Sequence, residues 1–245
     1  MRFFIGLHQP SDAQHFDAAF ISVNRLGPRK AFAVKDWIMD SGAFTEIARH
    51  GHYRNSVDTY AKEIVRWTGN GNLLAAVSQD FMCEPFVLER TGKTAEEHQR
   101  MTVERYDALA PIQSATYVMP VLQGYTPNEY VQHIEMYGDR LQDGMWVGVG
   151  SVCKRNSKIR SIEAVLLAIH HRRPDLRLHG FGLKNTALSS GLVRMLLYSA
   201  DSMAWSFSAR KQGRNANDWR EAKQWMEKIE SRPIQIPLFV PEVAR

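Results

Sequence analysis

"TYVMPVLQGYTPNEYVQHIEMYGDRLQDGMWVGVG", residues 116–150, contains two apolar β-type runs joined by one helical pattern. The first run, 116–123, ends in Gln123 and Gly124. Thr126, Pro127 and Glu129 then supply a helix start: the Thr and Glu side chains cap each other across the first turn, and proline takes the first helical position, where an N–H has no intrahelical partner. The second run, 145–150, follows. A strand, a helix and a second strand in so short a span read as a parallel pair with its crossover.

Working outward, the same alternation continues in both directions. Further β-type runs are "FFIGL" (3–7), "AFISV" (19–23), "DWIMD" (36–40), "LAAVSQD" (74–80), "RLHGFG" (177–182) and "YSADSM" (198–203), which makes eight in all. Between them, Thr94 and Glu97 repeat the capping box. Ile162, Val165, Leu166 and Ile169 share one helical face, as do Tyr60, Ile64 and Trp67. Eight strands with right-handed crossovers in 245 residues predict an α/β fold, a single (β/α)8 TIM-type barrel, over residues 1–232. The connections after the first two strands leave room for little helix. An open doubly wound sheet would usually carry a glycine fingerprint at its first turn, and "GLHQPSD" is not one. The last residues, 233–245, hold three prolines and are expected to run as an extended tail.

With 44% hydrophobic and 23% charged residues, the chain has the composition of a globular protein with a sizeable core. No run reaches the ~18 apolar residues of a membrane span, and the opening "MRFFIGLHQPSDAQ" is too weakly apolar for a signal peptide, so a cytoplasmic location is expected. The two cysteines, Cys83 and Cys153, support neither a disulfide framework nor a four-cysteine zinc site. No metal and no cofactor is expected. A net charge of +5 suits a polyanionic partner without requiring one.

Polar residues recur where the apolar runs stop: Asp40, Asp80, Gln123, Gly148 and Gly150, Gly180 and Gly182, and Asp201. Any one of them reads as a turn or cap. In a barrel, however, all lie on the rim that carries active sites, and three carboxylates crowded there repel one another unless they have a ligand or a chemical task.

In this order, "DSGAF", "QDFMCEP", "PVLQG", "VGVGS", "HGFGLK" and "SADSMAWSFSAR" resemble the motifs of the tRNA-guanine transglycosylase superfamily, over roughly residues 36–215. The last motif is closer to the archaeal type, which aligns Asp201 with the family nucleophile; the bacterial-type alignment would put Ala204 there, a side chain without a nucleophile. The cysteine-rich zinc subdomain of the tRNA enzymes is absent from the pattern. In that respect the chain is most similar to the DpdA family, transglycosylases that place 7-deazaguanine derivatives in DNA.

The resemblance implies a guanine transglycosylase that works through a covalent sugar intermediate, by the logic of retaining glycosidases. It implies Asp201 as nucleophile and Asp40 as general acid and base. Ser41 would orient sugar or phosphate, and Phe44 and His179 would flank the base. Asp80 would accept the two donors of a guanine edge, while Gln123 and the backbone N–H of Gly148 would serve O6. Basic residues follow two strands, Lys154, Arg155, Lys158 and Arg160 after the sixth, then Arg210, Lys211 and Arg214 after the eighth. Their loops suit phosphate contacts to a strand whose target base is flipped out. A solvated surface explains any single one, and it does explain "HHRR" (170–173), which ends a helix. Arg49, His50, His52 and Arg54 form a third basic cluster. The expected partners are DNA and a 7-deazaguanine base such as 7-cyano-7-deazaguanine, with a homodimer or modification-complex partner left open. Two other readings stay open: a tRNA-guanine transglycosylase without accessory domains, and a non-catalytic nucleic-acid-binding barrel subunit.

Overall fold

In the computed structural model, which describes residues 1–155 and 158–231, every apolar run named above is a strand. The strands are β1 (Arg2–Gly6), β2 (Ala18–Ser22), β3 (Asp36–Asp40), β4 (Asn72–Val77), β5 (Val118–Met119), β6 (Val121–Leu122), β7 (Trp146–Val149), β8 (Arg177–Gly180) and β9 (Leu197–Ser202). All pairings are parallel, in the order β5-β4-β3-β2-β1-β9-β8-β7-β6.

β5 and β6 are one extended segment interrupted at Pro120, which has no N–H to give to a ladder. Its first half pairs with β4 and its second half with β7, and the Pro120 carbonyl accepts from the Gly148 N–H at 2.8 Å. The sheet thereby closes into a nearly complete ring of eight staves, the expected TIM-type barrel.

The helices are α1 (Ala43–His50), α2 (Val57–Trp67), α3 (Pro85–Thr91), α4 (Ala95–Ala108), α5 (Pro127–Tyr137), α6 (Ile159–Arg172), α7 (Asn185–Leu188), α8 (Gly191–Leu196), α9 (Ala204–Lys211) and α10 (Trp219–Glu230). Both capping boxes form at α4 and α5. After β1 and β2 only short 3-10 turns fit, at Pro10–His15 and Val23–Arg25. The expected tail, 233–245, lies outside the described residues.

The two-residue period of the strands divides their side chains between two cores. Outward residues such as Trp37, Met39 and Leu178 pack against Trp67, Tyr130, Ile162 and Val165 of the helices. Inward residues, among them Phe4, Ile38, Val77 and Val121, fill the barrel together with Phe20, Trp146 and Phe181. Because Ile38 points inward, Asp40 two residues later does too. The same count along β9 sets Ser199 and Asp201 on one face, with Ala200 on the other. Among the described residues no helix is long and apolar enough to cross a membrane.

Candidate active site

Asp40 ends β3 at the mouth of the barrel, just before Gly42, the N-cap of α1. Gly42 has φ 78°, and a Cβ there would meet the Asn24 side chain at 2.3 Å, so the position needs glycine. The tight turn brings the backbone N–H groups of Ser41 and Gly42, with the Ser22 hydroxyl, onto the Asp40 carboxylate. These donors hold its pKa down, but burial and then the charge of Asp201 outweigh them and push it up to about 6.

Asp40 and Asp201 line the same cavity of about 400 Å³, within the size range of small-molecule sites. Phe20, Phe44, Arg25 and Arg49 share its wall. Phe44 is exposed, and the Lys154 ammonium lies 4.7 Å from its ring centroid. Asp201 is held by two donors on one oxygen: the Gly182 N–H reaches Oδ1 at 3.0 Å, and His179 Nε2 lies 3.3 Å from it.

Asp80, just beyond β4, is buried beside this pair. Burial, then the Asp40 charge, raises its pKa to about 7, against the hydrogen bond from the Gln123 amide. The Gln123 oxygen in turn sits 2.7 Å from the Ser151 hydroxyl, which also meets Glu84 Oε2 at 2.8 Å and accepts from the Cys83 N–H at 2.9 Å. Gly150 leaves the space for that amide, since a Cβ would sit 2.1 Å from its nitrogen. The barrel mouth thus brings two carboxylates, Asp40 and Asp201, to one cavity, with a third, Asp80, buried behind them.

The DpdA family model, described as "DeoxyPurine in DNA protein A", matches residues 1–225. The chain belongs to the DpdA family. No curated protein matches it.

In this DpdA-family barrel several side chains expected at the substrate do other work. The Gly148 N–H already donates to Pro120, and the Phe181 ring covers Gly148 so closely that a Cβ would lie 2.4 Å from it, so it has no donor for a base. The Ser41 hydroxyl turns away from the carboxylates, 3.5 Å from the Tyr53 hydroxyl in a separate cavity. His179 is fully buried with Phe20 stacked on its ring at 5.7 Å, so it cannot flank a base. One Gln123 amide hydrogen is committed to Asp80.

Of the basic residues, Lys154, Lys158, Arg160, Arg210 and Lys211 are exposed. Arg214 is exposed too, but its guanidinium pairs with Glu221 at 2.5 Å and with Gln212 at 2.7 Å. Arg155 is buried. Its guanidinium donates to the carbonyls of Ser151 at 3.0 Å and Gly124 at 3.3 Å, contacts Ser161 at 3.3 Å, and lies over the Tyr125 ring. It ties two loops of the mouth together, and its burial keeps it from the surface where a phosphate would be met.

Phe20, Arg25, Glu84 and Ser151 were not singled out by the sequence. Phe20 carried a signal in its place on the inward face of β2. Ser151 adopts φ 53°, a left-handed conformation uncommon for a non-glycine residue, and follows a glycine-rich run that gives no hint of it. Among the described residues no cluster of three or more His, Cys, Asp or Glu is arranged to hold a metal ion.

The raised carboxyls have a consequence for stability. A carboxyl whose folded-state pKa lies above its unfolded value binds protons more tightly when folded, so stability falls as pH rises from about 4 to about 7. Asp80→Asn removes that loss. Its Tm should exceed that of the parent by roughly 2–8 °C at pH 8, with the gap closing toward pH 4. Thermal unfolding at the two pH values checks this, and an equal gap at both contradicts it.

Proposed function

We propose that this barrel exchanges guanine in DNA for a 7-deazaguanine base through a covalent Asp201–sugar intermediate. The observation that carries the reading is the pairing of Asp40 and Asp201 across one cavity, with Asp40 raised to about 6 by burial and by its neighbour. Family membership supports DNA as the polymer.

In the first half-reaction Asp201 Oδ2 attacks C1′ of the target nucleotide. The C1′–N9 bond breaks with its electron pair, and guanine leaves with the proton that Asp40 gives up. In the second half-reaction the incoming base passes its N9 proton to the Asp40 carboxylate and attacks C1′, and the bond to Asp201 breaks. Atoms and charge balance over the cycle, and Asp40 returns to its acid form. The Asp80 carboxyl lies deeper, suited to the donor edge of a guanine-type base. Phe44, capped by Lys154, offers an aromatic face at the rim, and a base can stack on such a face.

Phosphate contacts fall to the exposed cations. Arg210→Ala should weaken DNA binding and lower the salt slope by roughly 0.9 for each duplex phosphate it neutralises, with Tm unchanged. Arg155→Ala should do the opposite. Loss of its buried hydrogen bonds should cost about 2–3 kcal/mol and lower Tm by roughly 4–12 °C, with the salt slope kept. DNA titrations at several salt concentrations beside thermal melts check both.

The function itself is tested by incubating DNA and tRNA separately with labelled guanine and the protein. Label entering DNA supports exchange. Label entering only tRNA, or neither polymer, would overturn the reading.

A further inference from the structure

His179 is fully buried and makes two side-chain hydrogen bonds, one at each ring nitrogen. Nδ1 lies 2.9 Å from the Ser199 hydroxyl, and Nε2 lies 3.3 Å from Asp201 Oδ1. Ser199 is buried as well, and its oxygen accepts from the indole N–H of Trp146 at 2.7 Å. Once that indole donor is in place, the only other hydrogen-bond partner of the hydroxyl among the described residues is Nδ1, so the Ser199 proton points there. Nδ1 is then an acceptor and the ring hydrogen sits on Nε2, directed at Asp201. The ring is clamped from its sides by Phe20, Phe181 and Trp146, with centroid distances of 5.7, 4.9 and 6.0 Å.

We infer that Trp146, Ser199 and His179 form a positioning chain for Asp201, so that His179 acts on the reaction through the carboxylate and never touches the base. The inference rests on Asp201 being the nucleophile. Two donors on Oδ1, from His179 and from the Gly182 backbone, fix the rotation of the carboxylate. Among the described residues no hydrogen bond is made to Oδ2, which leaves that oxygen for attack on C1′. A single backbone donor would fix one point and let the carboxylate swing about it. The second donor removes that freedom, and misplacement of a nucleophile by about an ångström is enough to cost up to ~100-fold in rate. The chain also explains three polar residues inside an otherwise apolar barrel: each satisfies the next, and the last satisfies a functional group.

The experiment compares His179→Asn, His179→Gln and Ser199→Ala in the full chain. The asparagine amide can keep the contact at the Nδ1 position but cannot reach Asp201, whereas the glutamine amide nitrogen falls near Nε2 and restores a donor. The readouts are the single-turnover rate of the denaturation-resistant DNA–protein adduct, DNA affinity and Tm. His179→Asn should slow adduct formation by about 10- to 100-fold, the worth of a hydrogen bond to a charged group, with DNA affinity within about twofold of the parent. His179→Gln should recover most of the rate. Ser199→Ala, which leaves the ring in place but frees its orientation, should slow the step by roughly 3- to 10-fold, and it decides the matter if the His179 variants do not fold.

A parental rate in folded His179→Asn, or in Ser199→Ala, overturns the positioning role. Equal losses in the Asn and Gln variants overturn it too, since a merely structural histidine would not distinguish them. Failure of the underlying reading looks different: Asp201→Asn would then form the adduct at the parental rate.

Discussion

Asp201→Asn should abolish base exchange, lowering the rate on the order of 10⁴-fold or more, and should leave no denaturation-resistant adduct. The substitution is nearly isosteric. The Gly182 N–H still finds an acceptor at the side-chain oxygen, and the cavity keeps its shape. What disappears is the anionic oxygen proposed to bond to C1′. DNA affinity should therefore stay within a few-fold of the parent, because the exposed cations proposed to meet phosphate are untouched. The variant also removes the charge that helps to raise Asp40, so its fold should be no less stable at pH 8. Adduct gels and exchange assays check this. An active Asp201→Asn would move the nucleophile elsewhere; Ala204, at the first turn of α9, has no group to replace it.

Asp40→Asn carries the second largest expected effect, a loss of about 10²- to 10⁴-fold, the usual range for general acid-base groups. Its pH signature is more specific than its size. A pKa of about 6 suits the proposed role of Asp40, giving a proton to departing guanine and taking one from the arriving base. Adduct formation needs the acid form, so it should fall as pH rises above about 6. Resolution of a preformed adduct by a 7-deazaguanine needs the carboxylate, so it should fall as pH drops below about 6. In Asp40→Asn both dependences should flatten together. Single-turnover rates for the two half-reactions across pH 5–8 would show it. Retained limbs in the variant would assign the proton to another group, Asp80 being the other carboxyl raised into this range.

Where sequence legibility ended can be traced to particular residues. The eight staves were legible because each is a short apolar run closed by turn residues, and α4 and α5 because their caps are local signals. The break at Pro120 was present in the letters, but its meaning depends on which neighbour each half pairs with. Asp40, Asp80 and Asp201 were legible as recurring strand ends. Their mutual effect was not, since it depends on strands far apart in sequence meeting across a barrel. Arg155 is the clearest case of a misleading local signal: it reads as one more cation in a basic loop, but the Gly124 carbonyl and the Tyr125 ring, both from another loop, turn it into a buried tie. His179 and Gly148 failed likewise. Each was named for a base contact, and each is committed to a neighbouring strand or a ring from the barrel interior.

The central claim is that the barrel replaces guanine in DNA, and the most direct measurement is mass analysis of nucleosides from DNA and tRNA incubated separately with the protein and 7-cyano-7-deazaguanine. Exchange in DNA predicts the deoxynucleoside of the 7-deazaguanine base in the DNA digest, guanine released in equal amount, and neither product with Asp201→Asn. A modified ribonucleoside from tRNA with unchanged DNA, or no modified nucleoside from either polymer, would contradict it.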